Sequence, residues 1–305
     1  MTYVASYRVQ LREGTDFAAI EKRLDQIAAL GVSHLYLSPI LTAAPGSTHG
    51  YDTTDPTQID PSLGGLPGFE SLAAAARGRG LSLILDIVPN HMAFGLDTPW
   101  LRDVLRKGMR SPHATKFDID WPQGYLALPW LERPLAELVE AGEVTMGNGI
   151  LKVGPLEVPL SPGTEAECSL DDLDGLQDRQ HWRLIPWPLE RDSITHRRFF
   201  SVTGLIGVRV EDSEVFAETH ALIFDLVDRG LVQGLRVDHV DGLVDPEAYL
   251  RRLSDRLPGT DIWVEKILVT GETLDDWPVA GTTGYEAAAV IGRILTDPQG
   301  LEDID

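Results

Sequence analysis

The chain has 305 residues, 43% of them hydrophobic, and a formal charge of −21 from 47 acidic and 26 basic side chains. This allows one large domain or two ordinary ones with a sizeable core, and excludes global disorder. The acidic excess argues against nucleic acid and anionic membranes as partners, since both are held by clustered Lys and Arg, and leaves a neutral substrate such as a sugar compatible.

The first third alternates strand and helix signals. YVASYRVQL is a short β-prone run. Asp16 then caps a predicted helix whose apolar positions, Phe17, Ile20, Leu24, Ile27 and Leu30, have helical spacing, with Gly31 as its stop. HLYLSPI is apolar and β-prone, and a glycine- and proline-rich loop is expected from Pro45 to Gly68. FESLAAAARGRG reads as a helix ending at glycine, and LSLILDIV as a strand buried on both faces.

The middle, roughly Thr98 to Phe200, is rich in Trp and Pro and shows little regular period. GEVTMGNGILKVGPLEV suggests a small hairpin region there. The last third returns to the earlier rhythm. SEVFAETHALIFDLVDRG is an amphipathic helix capped by Asp212 or Ser213, GLRVDHV a strand, PEAYLRRLSDRL a helix with proline at its start, and DIWVEKIL a strand. Strands alternating with helices imply parallel pairing and an α/β architecture. The expected organisation is 1–97 and 201–305 as two parts of one α/β domain, with 98–200 inserted between them. A single cysteine, Cys168, excludes an intrachain disulfide and fits a reducing compartment. No signal peptide and no apolar run of about 18 residues is visible, so a cytoplasmic protein is expected.

Three strands end in polar residues. LSLILDIVPNH ends with Asp86, Asn90 and His91; GLRVDHV carries Arg236, Asp238 and His239; DIWVEKIL carries Glu265 and Lys266. In parallel α/β folds, active-site residues gather at the C-terminal ends of strands, which would put Asp86, Asp238 and Glu265 around one rim. Paired carboxylates suit glycosyl transfer: one attacks the anomeric carbon, and the other, kept protonated, gives a proton to the leaving oxygen. Arg236 lies two residues before Asp238, so both side chains share a face of the strand, and its guanidinium would hold that carboxylate ionised and oriented.

DIVPNH, GLRVDHVDG and WVEKIL resemble three of the four signature regions of the α-amylase superfamily, glycoside hydrolase family 13. Within it, YRVQL, GVSHLYLSPIL, PGSTHGYD, KFDIDW, HRRFF and WPVAGTTGYE are most similar to the superfamily's trehalose-forming branch, in that branch's order. The resemblance implies a (β/α)8 TIM-type barrel with an inserted subdomain after the third strand. Five strands are clear here, with a sixth near Val279 to Gly281, so the chain resembles an incomplete, N-terminal part of such a barrel. It further implies an intramolecular transglycosylation, a glucosylmutase (isomerase) reaction of trehalose biosynthesis. The reducing-end α-1,4 bond of a maltooligosaccharide becomes an α,α-1,1 bond by a retaining mechanism. Asp238 would be the nucleophile and Glu265 the general acid/base. Asp86, His91 and Arg236 would line the sugar subsite, with His49, Tyr51 and Asp52 adding a stacking ring and hydrogen bonds. No cofactor or metal is implied.

The superfamily's third carboxylate lies well beyond GTTGYE in that branch. The remainder of the barrel would then come from further chain or from a second polypeptide. The alternative functions are an α-1,4-glucan hydrolase using the same carboxylates, and an inactive fragment. Blander roles are expected for several residues. Asn90 holds a loop, most of Trp100, Trp121, Trp130, Trp182 and Trp187 pack in the core, Cys168 is incidental, and the acidic DDLDGLQD is solvated. For His239 and Lys266, binding at an acceptor subsite and no role are equally expected.

Overall fold

The computed structural model describes residues 3–297, 299 and 300. They fall into two compact units. The first comprises residues up to Ile40, Asp60–Pro89 and His220 onward; the second comprises Leu41–Ile59 and Asn90–Thr219. Residues 301–305, the end of the expected third segment, lie outside the described residues.

The first unit is built on a six-stranded sheet whose strands follow one another in chain order. They are β1 (Ser6–Val9), β2 (His34–Leu37), β3 (Ser82–Ile87), β4 (Gly234–Val237), β5 (Asp261–Val264) and β6 (Gly281–Thr282). Every pairing is parallel. This is a partial TIM barrel of the α/β class. The sixth strand forms where Val279 to Gly281 suggested it, beside Trp263 and Val264.

The alternation along each strand sorts side chains to two faces. Leu35, Leu37, Leu83, Leu85, Leu235, Val237, Ile262 and Val264 are buried on the outer face. The helices contribute Phe17, Ile20, Leu24, Phe69, Leu72, Leu250 and Leu253 to the buried set, and the Phe17 and Phe69 rings meet edge-on at 5.5 Å. On the inner face, the N-terminal end of the sheet carries an aromatic layer. Tyr3 lies 5.1 Å from His34 and 5.0 Å from Trp263 by ring centroids. Burial holds the His34 imidazole below its usual range, so it packs there as a neutral ring.

Two local expectations change, and one open alternative is decided. The helix capped by Asp16 breaks into Phe17–Glu21 and Leu24–Ala29, and Leu30, expected on its buried face, is 63% exposed. The apolar spacing is continuous, but the helix breaks at Lys22 and Arg23, and Leu30 falls at the C-cap of the second piece, where the chain leaves the helix. The segment from Pro45 to Gly68 is not all loop. Thr53–Ile59 pairs antiparallel with Leu41–Ala43 in the second unit, and helix Gly65–Arg77 begins before Gly68. Helix Ser213–Asp228 is capped by Asp212, whose Oδ1 accepts from the Glu214 and Val215 N–H groups at 2.8 and 3.3 Å.

The second unit explains the weak period of the middle block: its elements are short and its core is not. Helix Pro99–Lys107, the parallel pair Leu126–Leu131 and Trp182–Pro186, and a three-stranded antiparallel sheet surround one apolar cluster. Trp100, Leu101, Leu126, Leu128, Leu151, Val158 and Trp182 are buried in it. The expected hairpin is Val144–Gly147 turning into Ile150–Val153 through Asn148 and Gly149, both at positive φ, as a two-residue hairpin loop requires. Lys116 stands 4.0 Å over the Trp100 ring and pairs with Glu218. Among the described residues no helix is long and apolar enough to cross a membrane.

Candidate active site

The C-terminal ends of β3 to β5 carry the charges that the sequence placed there. Arg236 pairs in register with Asp86 on one side and Trp263 on the other, so the sheet itself sets Arg236 beside Asp86. The ladder then continues past the strand ends, with Asp238 N–H donating to Ile87 and Glu265 N–H to Val237, at 2.9 and 2.8 Å. These two bonds hold the carboxylates that follow β4 and β5 at the same level.

One guanidinium joins three carboxylates. Arg236 Nη1 donates to Asp86 Oδ1 at 2.8 Å and to Asp238 Oδ1 at 2.7 Å, and Nη2 stands 3.0 Å from Glu265 Oε1. Arg236 and Asp86 side chains are 6% and 0% exposed, so these contacts are poorly screened. The chain turns directly after Asp238. His239 takes the left-handed conformation at φ 44°, and its N–H donates to Glu265 Oε2 at 2.8 Å. Both oxygens of Glu265 therefore face a donor.

The electrostatics follow from burial and company. Burial pushes Asp238 up to about 7; Arg236 opposes this, while Asp86 and Glu265 add to it as like charges. Burial also acts to raise Glu265, but the Arg236 charge and the His239 N–H outweigh it and hold Glu265 below its usual range. For Arg236 burial disfavours the charge, yet the surrounding anions raise its proton affinity further. Arg236 stays charged, and burial together with its anionic neighbours holds Asp238 above the ordinary carboxylate range.

Residues 3–120 match the α-amylase catalytic domain family. A protein described as a putative maltooligosyl trehalose synthase from Mycobacterium tuberculosis is 46% identical over 97% of this chain, which covers 39% of that protein. The chain is a homologue of the maltooligosyl trehalose synthases. The structure of the maltooligosyltrehalose synthase from Arthrobacter ramosus superposes with a TM-score of 0.89 at 40% identity, over 96% of this chain and 38% of that one. A second maltooligosyl trehalose synthase structure superposes at 0.89 with 37% identity, over 99% of this chain and 41% of that one. The chain thus spans about two fifths of the synthases it matches, 39% in the Mycobacterium case. A debranching enzyme from Nostoc punctiforme, 21% identical at a TM-score of 0.60, shares the fold alone.

The other residues expected at the synthase-like site belong to the second unit. His91 is 1% exposed, with its ring 4.1 Å from Phe199 of the HRRFF stretch. His49, Tyr51 and Asp52 form one tight turn. Ser47 donates to Asp52 at 2.5 Å, the Tyr51 N–H donates to His49 Nδ1 at 3.1 Å, and the two rings lie 5.9 Å apart. Asn90 Oδ1 accepts from Arg197 Nη1 at 2.9 Å, and Arg197 Nε donates to Asp118 at 2.7 Å, so Asn90 does hold a loop. Lys266 forms ion pairs with Asp241 and Glu272 at 3.2 and 3.1 Å, which gives it a structural occupation. Of the tryptophans, Trp100 and Trp182 are buried and Trp187 is 62% exposed.

Sequence reasoning missed Tyr36. Its hydroxyl donates to Asp86 Oδ2 at 2.7 Å. The signal was present: in HLYLSPI it is the polar-tipped residue on a strand flanked by leucines, and alternation puts it on the inner face. Arg197 was also passed over, though HRRFF contains it.

Proposed function

We propose that this chain carries the reacting carboxylates of a retaining transglycosylase that rearranges a maltooligosaccharide. Asp238 attacks the anomeric carbon of the sugar at the reducing-end bond and forms a glycosyl-enzyme ester. Glu265 protonates the departing oxygen, then withdraws a proton from the incoming hydroxyl. If that hydroxyl is the anomeric one of the same released glucose, the α-1,4 bond becomes α,α-1,1 and no reducing end survives. The substrate and this outcome come from the likeness to the synthases.

The observation that carries the reading is the single guanidinium shared by Asp238 and Glu265. It holds the two carboxyl groups close, which favours the about 5–5.5 Å spacing of retaining enzymes over the wider inverting one. The resting protonation runs opposite to the roles, since Asp238 is raised and Glu265 lowered. A bound sugar that separates Glu265 from Arg236 removes the charge holding Glu265 ionised, and leaves Arg236 to Asp238. Substrate binding therefore sets the working protonation state. His49, Tyr51, Asp52, Asp86, His91 and Arg236 are each proposed as sugar contacts on the same family likeness.

Incubation of the chain with maltopentaose, following reducing ends and total glucan, tests the reading. Loss of reducing ends without shortening is the expected result. A gain of reducing ends means hydrolysis by the same pair, and no change in either overturns turnover by this chain.

A further inference from the structure

Tyr36 lies on β2 in register with Ile84, and Asp86 follows on the same face two residues later. The Tyr36 hydroxyl donates to Asp86 Oδ2 at 2.7 Å, while Asp86 Oδ1 accepts from Arg236 Nη1 at 2.8 Å. Both Asp86 oxygens are thereby held in a side chain that is 0% exposed. Bulk water cannot replace the phenol there.

We propose that Tyr36 is a positioning residue: by pinning Asp86 it fixes where Arg236 stands between Asp238 and Glu265, and so how tightly the carboxylate cluster holds its proton. The inference rests on the assignment of Asp238 and Glu265 as the reacting pair. Three carboxylates share one guanidinium, an excess of two negative charges when all are ionised. The charged groups facing Tyr36 and Asp86 include Arg8 from β1, whose guanidinium is 5.5 Å from the Tyr36 ring centre, Arg236 from β4, Asp238 just after it, and Glu265 after β5. Groups this close titrate as a unit. A donor removed from any one anion raises the proton affinity of the whole cluster, wherever the proton sits. Asp86 also loses one of its two anchors, and Arg236 loses the fixed end of its bridge.

The test is a carboxyl-carbon NMR titration of this chain and its Tyr36→Phe variant. The highest apparent pKa of the cluster should rise by about one to two units in the variant, the size expected for a hydrogen bond to a charged group. In an Asp86→Asn background, Tyr36→Phe should move nothing further, because the anion that the phenol stabilises is gone. A variant that titrates like its parent, or a shift that persists in the Asp86→Asn background, overturns the proposal. Should Tyr36→Phe not fold, the unsubstituted chain still decides. Its Tyr36 hydroxyl proton should be protected from exchange while the cluster is ionised, and free exchange at about pH 8.5, well above the cluster's titration, overturns the proposal. None of these measurements reads turnover. Failure of the Asp238–Glu265 assignment shows separately, as unchanged maltopentaose conversion in Asp238→Asn.

Discussion

At Asp238 the requirements of folding and of chemistry pull apart. An acid whose folded pKa lies above its unfolded one binds more protons when folded, so stability falls as pH rises from about 4 toward about 7. Asp238→Asn keeps an oxygen for Arg236 and removes the charge. The variant should therefore gain thermal stability relative to the parent at pH 8 and match it near pH 4, as scanning calorimetry at the two values would show. In an enzyme that turns over, the same change should cost several orders of magnitude in rate, because no covalent intermediate can form. Glu265→Gln should hurt substrates with poor leaving groups most, since they depend on the proton. An equal fold-loss for good and poor leaving groups would remove Glu265 from the acid role.

Among the elements, β4 shows how tightly the strands are fitted. Gly234 opens it on the inner face, between Ile84 of β3 and Trp263 of β5. A Cβ there would meet Trp263 Cζ3 at 2.7 Å and Ile84 Cγ1 at 3.2 Å. The GLR spacing matters because glycine makes room for the tryptophan, and Arg236 then clears it toward the cluster. Gly234→Ala should destabilise by about 1–3 kcal/mol in urea unfolding, as overpacking does. Trp263→Phe in the same chain should recover part of that loss, a coupling that a double-mutant cycle measures. Additive costs would mean that the two side chains do not meet.

For the whole molecule, pH and salt report on different balances. His196 in the second unit is buried with its ring 4.2 Å from Phe94, and burial drives it down to about 4, with Arg198 adding to the effect. A base with a lowered folded pKa contributes stability that is full above about 6.5 and is lost as pH falls toward about 4. This opposes the Asp238 trend, so His196→Phe should unmask that trend: relative to the parent, the variant gains stability as pH falls below about 6.5 and shows an unchanged slope on the alkaline side. Unfolding midpoints between pH 4 and 8 would show whether it does. The formal charge of −21 adds self-repulsion that salt screens, so the melting temperature should rise between about 10 and 200 mM sodium chloride.

The sequence by itself determined the parallel α/β class, the six strand positions and the carboxylates at the ends of three of them. Buried parallel strands write themselves as continuous apolar runs, and an Asp or Glu closing such a run has few bland explanations. It also determined that Arg236 and Asp238 share a face, because strand periodicity is two. Only the tertiary structure decided how the charges are joined. Register set Asp86 beside Arg236 from a position 150 residues away. The left-handed turn at His239 presented an N–H to Glu265, and Tyr36 closed on Asp86 across 50 residues of chain. The strand Thr53–Ile59 was invisible to local pattern because Asp55 and Pro56 interrupt it like a turn, and the core of the second unit because its short elements carry too few periods to read. The proton order within the cluster was hidden for a related reason: it depends on burial and on distances between residues far apart in the chain, and no local window of sequence contains either.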